Sequence, residues 1–241
     1  MAQQQHPETA PQPGVRPPAT TPLLAVALAY LTFLSGFLDA VSYLGLGRVF
    51  TANMTGNVVV LGFAAGGAPG FSVPGTAISA GGFLLGAALG GRLVRHRGPA
   101  PRWMDAAIAV EAAGTALGGA FELLGLSHYL TILVLALAMG CRNAAVRSLG
   151  VADVTTTVLT GTLTSIAADS RLAGGGSTRL PRRVGSVLAM LLGAMAGAYL
   201  LRTSSVAVCL LAAAAADLVL LFAYIARNGW RPAAAAAQDE P

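Results

Sequence analysis

Long apolar runs alternate with short polar connections along most of the 241-residue chain. Six of these runs can each cross a bilayer, because a helix of about 20 residues spans about 30 Å of hydrocarbon. They cover residues 23–44, 76–95, 104–125, 128–149, 184–201 and 204–226. Two shorter runs, residues 52–66 and 154–168, would reach only about 22 Å as helices. The pattern predicts an all-α polytopic membrane protein with six long transmembrane helices and two short re-entrant or half-helix segments.

The two ends of the chain differ from this central region. Residues 1–21 are rich in proline, glutamine and threonine and lack the apolar core of a signal peptide. Such a composition predicts a disordered tail, and residues 229–241 are predicted to form a second one. Residues 22–228 are then a single transmembrane domain.

The composition narrows the class of protein further. Hydrophobic residues make up 55% of the chain and charged residues only 10%, whereas average soluble domains have about 25% charged residues. The mean hydropathy is +0.67. These values exclude a soluble enzyme, a disordered chain and a disulfide-built secreted domain, and they predict that the main partner is a lipid bilayer.

The basic residues predict an orientation in the membrane. All 15 are arginines, and most lie in the connections or at the ends of the apolar runs, so we attribute them to the positive-inside rule and predict no nucleic-acid partner. If all eight apolar runs crossed, 8 arginines would lie inside and 7 outside. If the two short runs return to the side they came from, 13 lie inside and only Arg48 and Arg202 lie outside. The second arrangement predicts a multi-pass protein of the bacterial cytoplasmic membrane with both termini in the cytoplasm.

The chain resembles itself at a spacing of about 105 residues. Matched landmarks include Gly36–Ala40 with Gly140–Ala144, Thr55–Gly56 with Thr160–Gly161, Glu111 with Asp217, and Gly82, Gly86 and Gly90 with Ala189, Gly193 and Gly197. Three crossings per copy is an odd number, so the pattern predicts an inverted 3+3 internal repeat, about 22–125 and about 127–228. The alternative is that helices rich in alanine, glycine and leucine look alike without a duplication.

Both short segments carry polar side chains. On a helix Asn53 and Asn57 share a face, as do Thr156, Thr160 and Thr164. Irregular backbone at membrane depth persists only where protein or a watery cavity satisfies it, and half-helix ends can bind a solute. The predicted substrate-binding residues are Asn53, Thr55, Gly56, Asn57, Asn143, Thr156, Thr157, Thr160 and Gly161. The alternative is that these threonines bond within their own helix and the asparagines hold helices together.

Four ionisable residues fall within long apolar runs, namely Asp39, Glu111, Arg142 and Asp217. A charge at the bilayer centre costs at least about 2.5–3.5 kcal/mol on insertion scales, so such groups usually pair or face a cavity. Because Glu111 and Asp217 occupy matching places, they are predicted to handle protons, together with Asp39. The alternative is a structural hydrogen bond between helices. For Arg142 three roles remain open: neutralising Asp39, neutralising Asp153, or holding an anionic substrate.

The glycine ladders allow close approach of helix backbones, either inside the bundle or at a contact between two copies of the chain. The second option predicts a homo-oligomer formed through the glycine-rich helices. The chain has no lysine and therefore no Walker A motif, and it lacks His-Glu-x-x-His and Gly-x-Ser-x-Gly motifs. We predict no catalytic residues, no metal and no cofactor.

Two blocks of sequence resemble a known family. Residues Ser35–Tyr43 followed by Thr51–Asn57 resemble the first signature of the YoaK-like family, small bacterial integral membrane proteins classed as a domain of unknown function. Residues Gly140–Ala144 followed by Asp153–Gly161 resemble its second signature. The resemblance covers about 22–228 and implies an inner-membrane protein with about six spans. It implies no substrate.

The leading hypothesis from the sequence is a secondary transporter of the cytoplasmic membrane, coupled to protons, for a small polar or anionic solute. It follows from the predicted repeat, the paired polar segments and the matched carboxylates. Two alternatives stay open, a non-transporting membrane scaffold or partner-binding protein and a passive channel. An enzyme is not expected.

Overall fold

The structure, a computed structural model, describes residues 22–97, 103–149, 159–170, 173–175 and 180–228. The two predicted tails lie outside these ranges. Within them the regular structure is helical. The helices are α1 Pro22–Gly45, α2 Met54–Ala65, α3 Val73–Arg97, α4 Trp103–Leu123, α5 His128–Ser148, α6 Leu159–Ala168, α7 Leu180–Thr203 and α8 Val206–Asn228.

Helix length divides the described elements into two groups. Six helices, α1, α3, α4, α5, α7 and α8, are long and apolar enough to cross a membrane, which confirms the predicted polytopic architecture in the described ranges. The 12 residues of α2 and the 10 residues of α6 would reach only about 18 and 15 Å. The first five residues of the predicted second short segment, 154–158, lie outside the described ranges.

The six long helices pack in a regular scheme. Helix α1 packs mainly along α7, α5 packs mainly along α3, and α4 lies against both α5 and α8. Leu38, Leu135, Met139 and Leu210 belong to one buried apolar cluster, and a second cluster includes Leu28 and Met104. Helices α3 and α7 bury the smallest fraction of their surface, and their exposed leucines form the kind of apolar face that lipid covers.

Glycine permits the close approach of these helix pairs. A Cβ atom on Gly36 of α1 would collide with the carbonyl of Met190 on α7, and one on Gly140 of α5 would collide with the carbonyl of Phe83 on α3. The predicted ladders serve the same two contacts: Gly82, Gly86 and Gly90 lie against α5, and Gly193 and Gly197 lie against α1. These glycines are therefore used inside the bundle, the first of the two roles predicted for them.

An irregular stretch connects α1 to α2. Gly47 and Arg48 both have a positive φ, 94° and 60°, a conformation that is uncommon outside glycine. The turn brings Thr51 back beside Asp39 of α1 and Phe50 beside Ser79 of α3. Helix α2 then begins at Met54, with Asn53 as its N-cap. The chain therefore leaves α1 through a turn and an irregular stretch and becomes helical again at Met54.

Candidate functional site

Arg142 of α5 lies at the centre of a fully buried polar cluster. Its Nη1 donates a hydrogen bond to Oε1 of Glu111 on α4 at 2.8 Å, and both side chains are completely shielded from solvent. The ion pair thus joins two of the long helices. Of the partners that the sequence left open, Asp39 does not form this ion pair, and Asp153 lies outside the described residues.

The other donors of Arg142 are also satisfied within the protein. Nη1 reaches the carbonyl of Leu31 at 3.4 Å, and Nη2 reaches Oγ of Ser35 at 2.8 Å. Nη2 and Nε both donate to Oδ1 of Asn143, at 3.0 and 3.3 Å. A guanidinium has five N–H donors, and each one has an acceptor here. The described residues thus engage all five N–H donors of Arg142, and in this conformation none is left for an anionic solute.

Asp217 of α8 lies near the ion pair but does not join it. Its side chain is fully buried, and among the described residues neither carboxylate oxygen has a hydrogen-bond partner. It interacts electrostatically with Glu111 and Arg142. Tyr30 in turn interacts electrostatically with Asp217 and Glu111. The structure therefore brings three of the four predicted charged residues together, with one carboxylate paired and the other not.

Asp39, the fourth charged residue, holds the connection between α1 and α2. Its Oδ1 accepts hydrogen bonds from the backbone N–H groups of Thr51 at 2.9 Å and Ala52 at 2.8 Å. The residue is only 5% exposed, and its Oδ2 has no partner in the described part of the chain. Asp39 thus satisfies irregular backbone inside the protein and keeps one acceptor atom unused.

Asn57 secures the same stretch from the other side. Its Oδ1 accepts from the N–H of Phe50 at 2.9 Å, and its Nδ2 donates to the carbonyl of Phe50 at 2.7 Å and to Oγ of Ser79 at 3.0 Å. Ser79 of α3 donates to the same carbonyl at 2.6 Å. The side chain amide of Asn57 therefore pairs with one residue's backbone much as a neighbouring strand would, and its polar atoms are engaged within the protein.

The remaining predicted residues of the first segment have different environments. Asn53 is partly buried and caps α2, where its Oδ1 accepts from the N–H of Gly56 at 3.4 Å. Gly56 lies against the ring of Phe50, which a Cβ atom would meet at 2.7 Å. Thr55 is exposed. Asn53, Gly56 and Asn57 thus stand together around Phe50, and Thr55 points away.

The second predicted half of the site is described only in part. Thr156 and Thr157 lie outside the described residues, and Thr160 and Gly161 are exposed in the first turn of α6. Helix α2 packs on α3, and α6 packs on α7. Asn143 lies with the buried ion pair on α5. The two short segments therefore contact different long helices.

A cavity of about 330 Å³ lies between α1, the α1–α2 connection and α7. One wall contains Asp39, Tyr43, Phe50 and Asn53. The rings of Tyr43 and Phe50 are stacked, with centroids 4.7 Å apart. The volume is at the low end of the range for small-molecule sites. The described residues include no group of three or more His, Cys, Asp or Glu side chains arranged to hold a metal ion.

Sequence reasoning missed several residues that complete these sites. Ser35 and Tyr30 of α1 face the buried charges, and Ser79 of α3 bonds to the connection between α1 and α2. Ser35 stands within the first signature block, which was a usable signal. Ser79 had no comparable signal, because the contact depends on which turn of α3 faces Phe50.

Together these features define a polytopic α-helical membrane protein with an ion pair and an unpaired acid among its spans. The chain belongs to the family described as "Protein of unknown function (DUF1275)", whose model matches residues 27–223. It is 34% identical over 149 residues to the UPF0700 transmembrane protein YoaK of Bacillus subtilis (strain 168). That alignment covers 59% of this chain and 65% of the relative, so it spans slightly less than two thirds of the relative's length. Both matches confirm the resemblance found in the sequence, and no solved structure matches the chain.

Proposed function

We propose that this protein is a secondary transporter of the cytoplasmic membrane that moves a small polar solute in exchange with, or together with, protons. The observation that carries the proposal is the fully buried group of Arg142, Glu111 and Asp217 inside the long helices. Each such charge costs at least about 2.5–3.5 kcal/mol to insert. Apolar residues of similar volume often stabilise a protein as well as a buried ion pair does, whereas a carrier uses such groups to bind ions or protons.

Within this group we assign the transported proton to Asp217. Glu111 is held by Arg142 at 2.8 Å, so protonating it would break an ion pair. Asp217 has no hydrogen-bond partner among the described residues and can take up or release a proton without breaking one. Glu111 then sets the electrostatic surroundings of Asp217, and the two acids have different roles although they occupy matching places in the sequence.

We further propose that α2 is a re-entrant half-helix. A Cβ atom on Gly70 would lie 2.9 Å from Nη1 of Arg48, and the Arg48 guanidinium lies 5.4 Å from the ring centroid of Phe71. Residues just before the segment thus touch residues just after it, which supports a return to the same side. In a variant without native cysteines, Arg48→Cys and Phe71→Cys should react with a membrane-impermeant thiol reagent from the same side only.

The helix contacts support an inverted internal repeat. Gly36 meets Met190 on α7, and the residues at matching places, Gly140 and Phe83, meet in the same way between α5 and α3. Three long helices per copy is an odd number, so the copies would have opposite orientations, as in many secondary transporters. With both termini in the cytoplasm, this arrangement also keeps most arginines on the cytoplasmic side.

The transport proposal is tested by reconstituting the purified protein into vesicles and exposing them to an extract of small bacterial metabolites under a pH gradient. Mass spectrometry of the vesicle contents should show at least one polar solute that accumulates only with the protein and only while the gradient persists. Asp217→Asn should abolish the dependence on the gradient. Glu122→Gln, a matched change near the end of α4, should leave it intact. Contents identical to those of protein-free vesicles, with the gradient in either direction, would refute transport.

A further inference from the structure

The cavity beside Asp39 has a chemical character that selects among solutes. Asp39 lines it, is 5% exposed, and has in Oδ2 a carboxylate oxygen without a partner among the described residues. Of the described residues that form the walls, none is basic. The nearest buried cation, Arg142, directs all of its donors elsewhere. Arg142 acts on Asp39 only through the electrostatic field, so the carboxylate at this wall forms no hydrogen-bonded ion pair among the described residues.

Aromatic rings complete this wall. Tyr43 and Phe50 both line the cavity and stack on each other at 4.7 Å. Aromatic faces attract organic cations, including quaternary ammonium groups, and a nearby carboxylate adds Coulomb attraction. The opposite wall, from α7, contains the small side chains Ala194 and Ala198, which leave room for methyl groups.

We propose that this cavity binds a small organic cation, an ammonium compound, with Asp39 as its counter-charge and Tyr43 and Phe50 as its aromatic contacts. The inference rests on the proposed function, because it takes the cavity to be the binding site of the transported solute. It replaces the broader expectation of a polar or anionic solute with one charge class. Oδ1 of Asp39 holds the backbone of Thr51 and Ala52, and the carboxylate as a whole supplies the negative charge at the cavity wall.

Choline is a suitable probe because a carbon isostere without the charge exists. Radiolabelled choline binding is measured on the full chain in nanodiscs of phosphatidylglycerol, with unlabelled tetramethylammonium, dimethylbutanol or dimethylbutyrate as competitors. Tetramethylammonium should displace choline. Dimethylbutanol has the shape of choline without its charge, and dimethylbutyrate has a similar shape with a negative charge. Neither should displace choline. Equal displacement by dimethylbutanol would overturn the proposal, since it would show that shape alone is recognised.

Two variants locate the binding in the cavity. Asp39→Asn keeps an oxygen for the N–H groups of Thr51 and Ala52 and removes only the charge; it should weaken choline binding at least about tenfold, since charge-assisted contacts are strong. Ala198→Leu should fill the cavity and weaken binding to a similar degree. Met195→Leu, on the exposed face of the same helix, should bind normally. If Asp39→Asn fails to fold, Ala198→Leu decides, and unchanged binding in that variant overturns the proposal.

A phosphatidylcholine headgroup carries the same quaternary ammonium group as free choline. A second nanodisc composition therefore distinguishes a lipid ligand from a soluble one. Free choline should still bind in discs that contain phosphatidylcholine. Loss of binding there would show that a lipid headgroup occupies the cavity and would overturn the assignment to a solute. Failure of this inference is also distinct from failure of transport: uptake of anionic metabolites alone, without choline binding, removes the cation assignment and leaves the carrier standing.

Discussion

Helices α1 and α5 are packed alike and charged differently. Each lies along a glycine-rich partner through a close contact, Gly36 with α7 and Gly140 with α3. Yet two residues after Gly36 the chain has Leu38 and then Asp39, whereas after Gly140 it has Arg142 and then Asn143. Around α5 the arginine pairs with Glu111, and around α1 the aspartate holds a loop and lines a cavity. The two helix pairs therefore share close packing through glycine and differ in the charged residues that lie beside it.

The largest expected loss of stability comes from removing the positive charge of Arg142 on α5, which has no counterpart on α1. Arg142→Leu, which copies the residue at the matching place in α1, leaves Glu111 as an uncompensated buried charge. Breaking a buried pair in this way costs about 3–5 kcal/mol. Denaturant unfolding of the purified protein in detergent should show a loss of this size. The double variant Arg142→Leu/Glu111→Gln should recover much of it, and a double variant no more stable than the single one would contradict the ion-pair interpretation.

On the α1 side the corresponding weak point is the connection to α2, which Asn57 holds. Asn57→Ala leaves the N–H and the carbonyl of Phe50 without this partner, at about 1–3 kcal/mol for a group left unsatisfied. Asn53→Ala, which removes only the cap of α2, should cost about 1 kcal/mol. Unfolding measurements on both variants test the ranking. An Asn57 variant as stable as the Asn53 variant would contradict this ranking and show that Ser79 suffices for the carbonyl of Phe50 and that its N–H needs no protein acceptor.

The shared packing predicts equal responses in the two halves. Gly86→Ala in α3 and Gly193→Ala in α7 place a methyl group against backbone of the neighbouring helix, and overpacking of this kind costs about 1–3 kcal/mol. Gly81→Ala and Gly185→Ala meet nothing within 4 Å and should gain up to about 1 kcal/mol from better helix propensity. Thermal unfolding of the four variants provides the comparison. A large cost in one half only would break the equivalence of the two helix pairs.

The architecture could be predicted from the sequence because it depends on local patterns. Run length distinguished six long helices from two short ones, and the spacing of Gly82, Gly86 and Gly90 predicted a close helix contact. The partners of polar groups could not be predicted, because they depend on which helices become neighbours. Arg142 pairs with Glu111, which lies on another helix.

The polar residues of the first short segment show the same limit, here over only a few residues of sequence. Asn53 and Asn57 were expected to face a solute together, since they are one helical turn apart. In the structure Asn57 bonds to the backbone of Phe50, because Phe50 lies outside regular structure and its N–H and carbonyl need partners. Helical periodicity places two residues on one face, but it carries no information about unsatisfied backbone elsewhere. The roles of Thr156 and Thr157 stay predictions.

The smallest expected effect on stability, and the sharpest test of divided roles, comes from Asp217. Asp217→Asn keeps the shape of the side chain and removes no hydrogen bond that the described residues show, so unfolding should change by less than about 1 kcal/mol. Glu111→Gln, by contrast, leaves Arg142 unpaired and should cost about 3–5 kcal/mol. The comparison separates two acids that sequence alone treats as equivalent. If Asp217→Asn destabilised the protein as much as Glu111→Gln, Asp217 would be a structural group like its counterpart, and the proton would need another carrier.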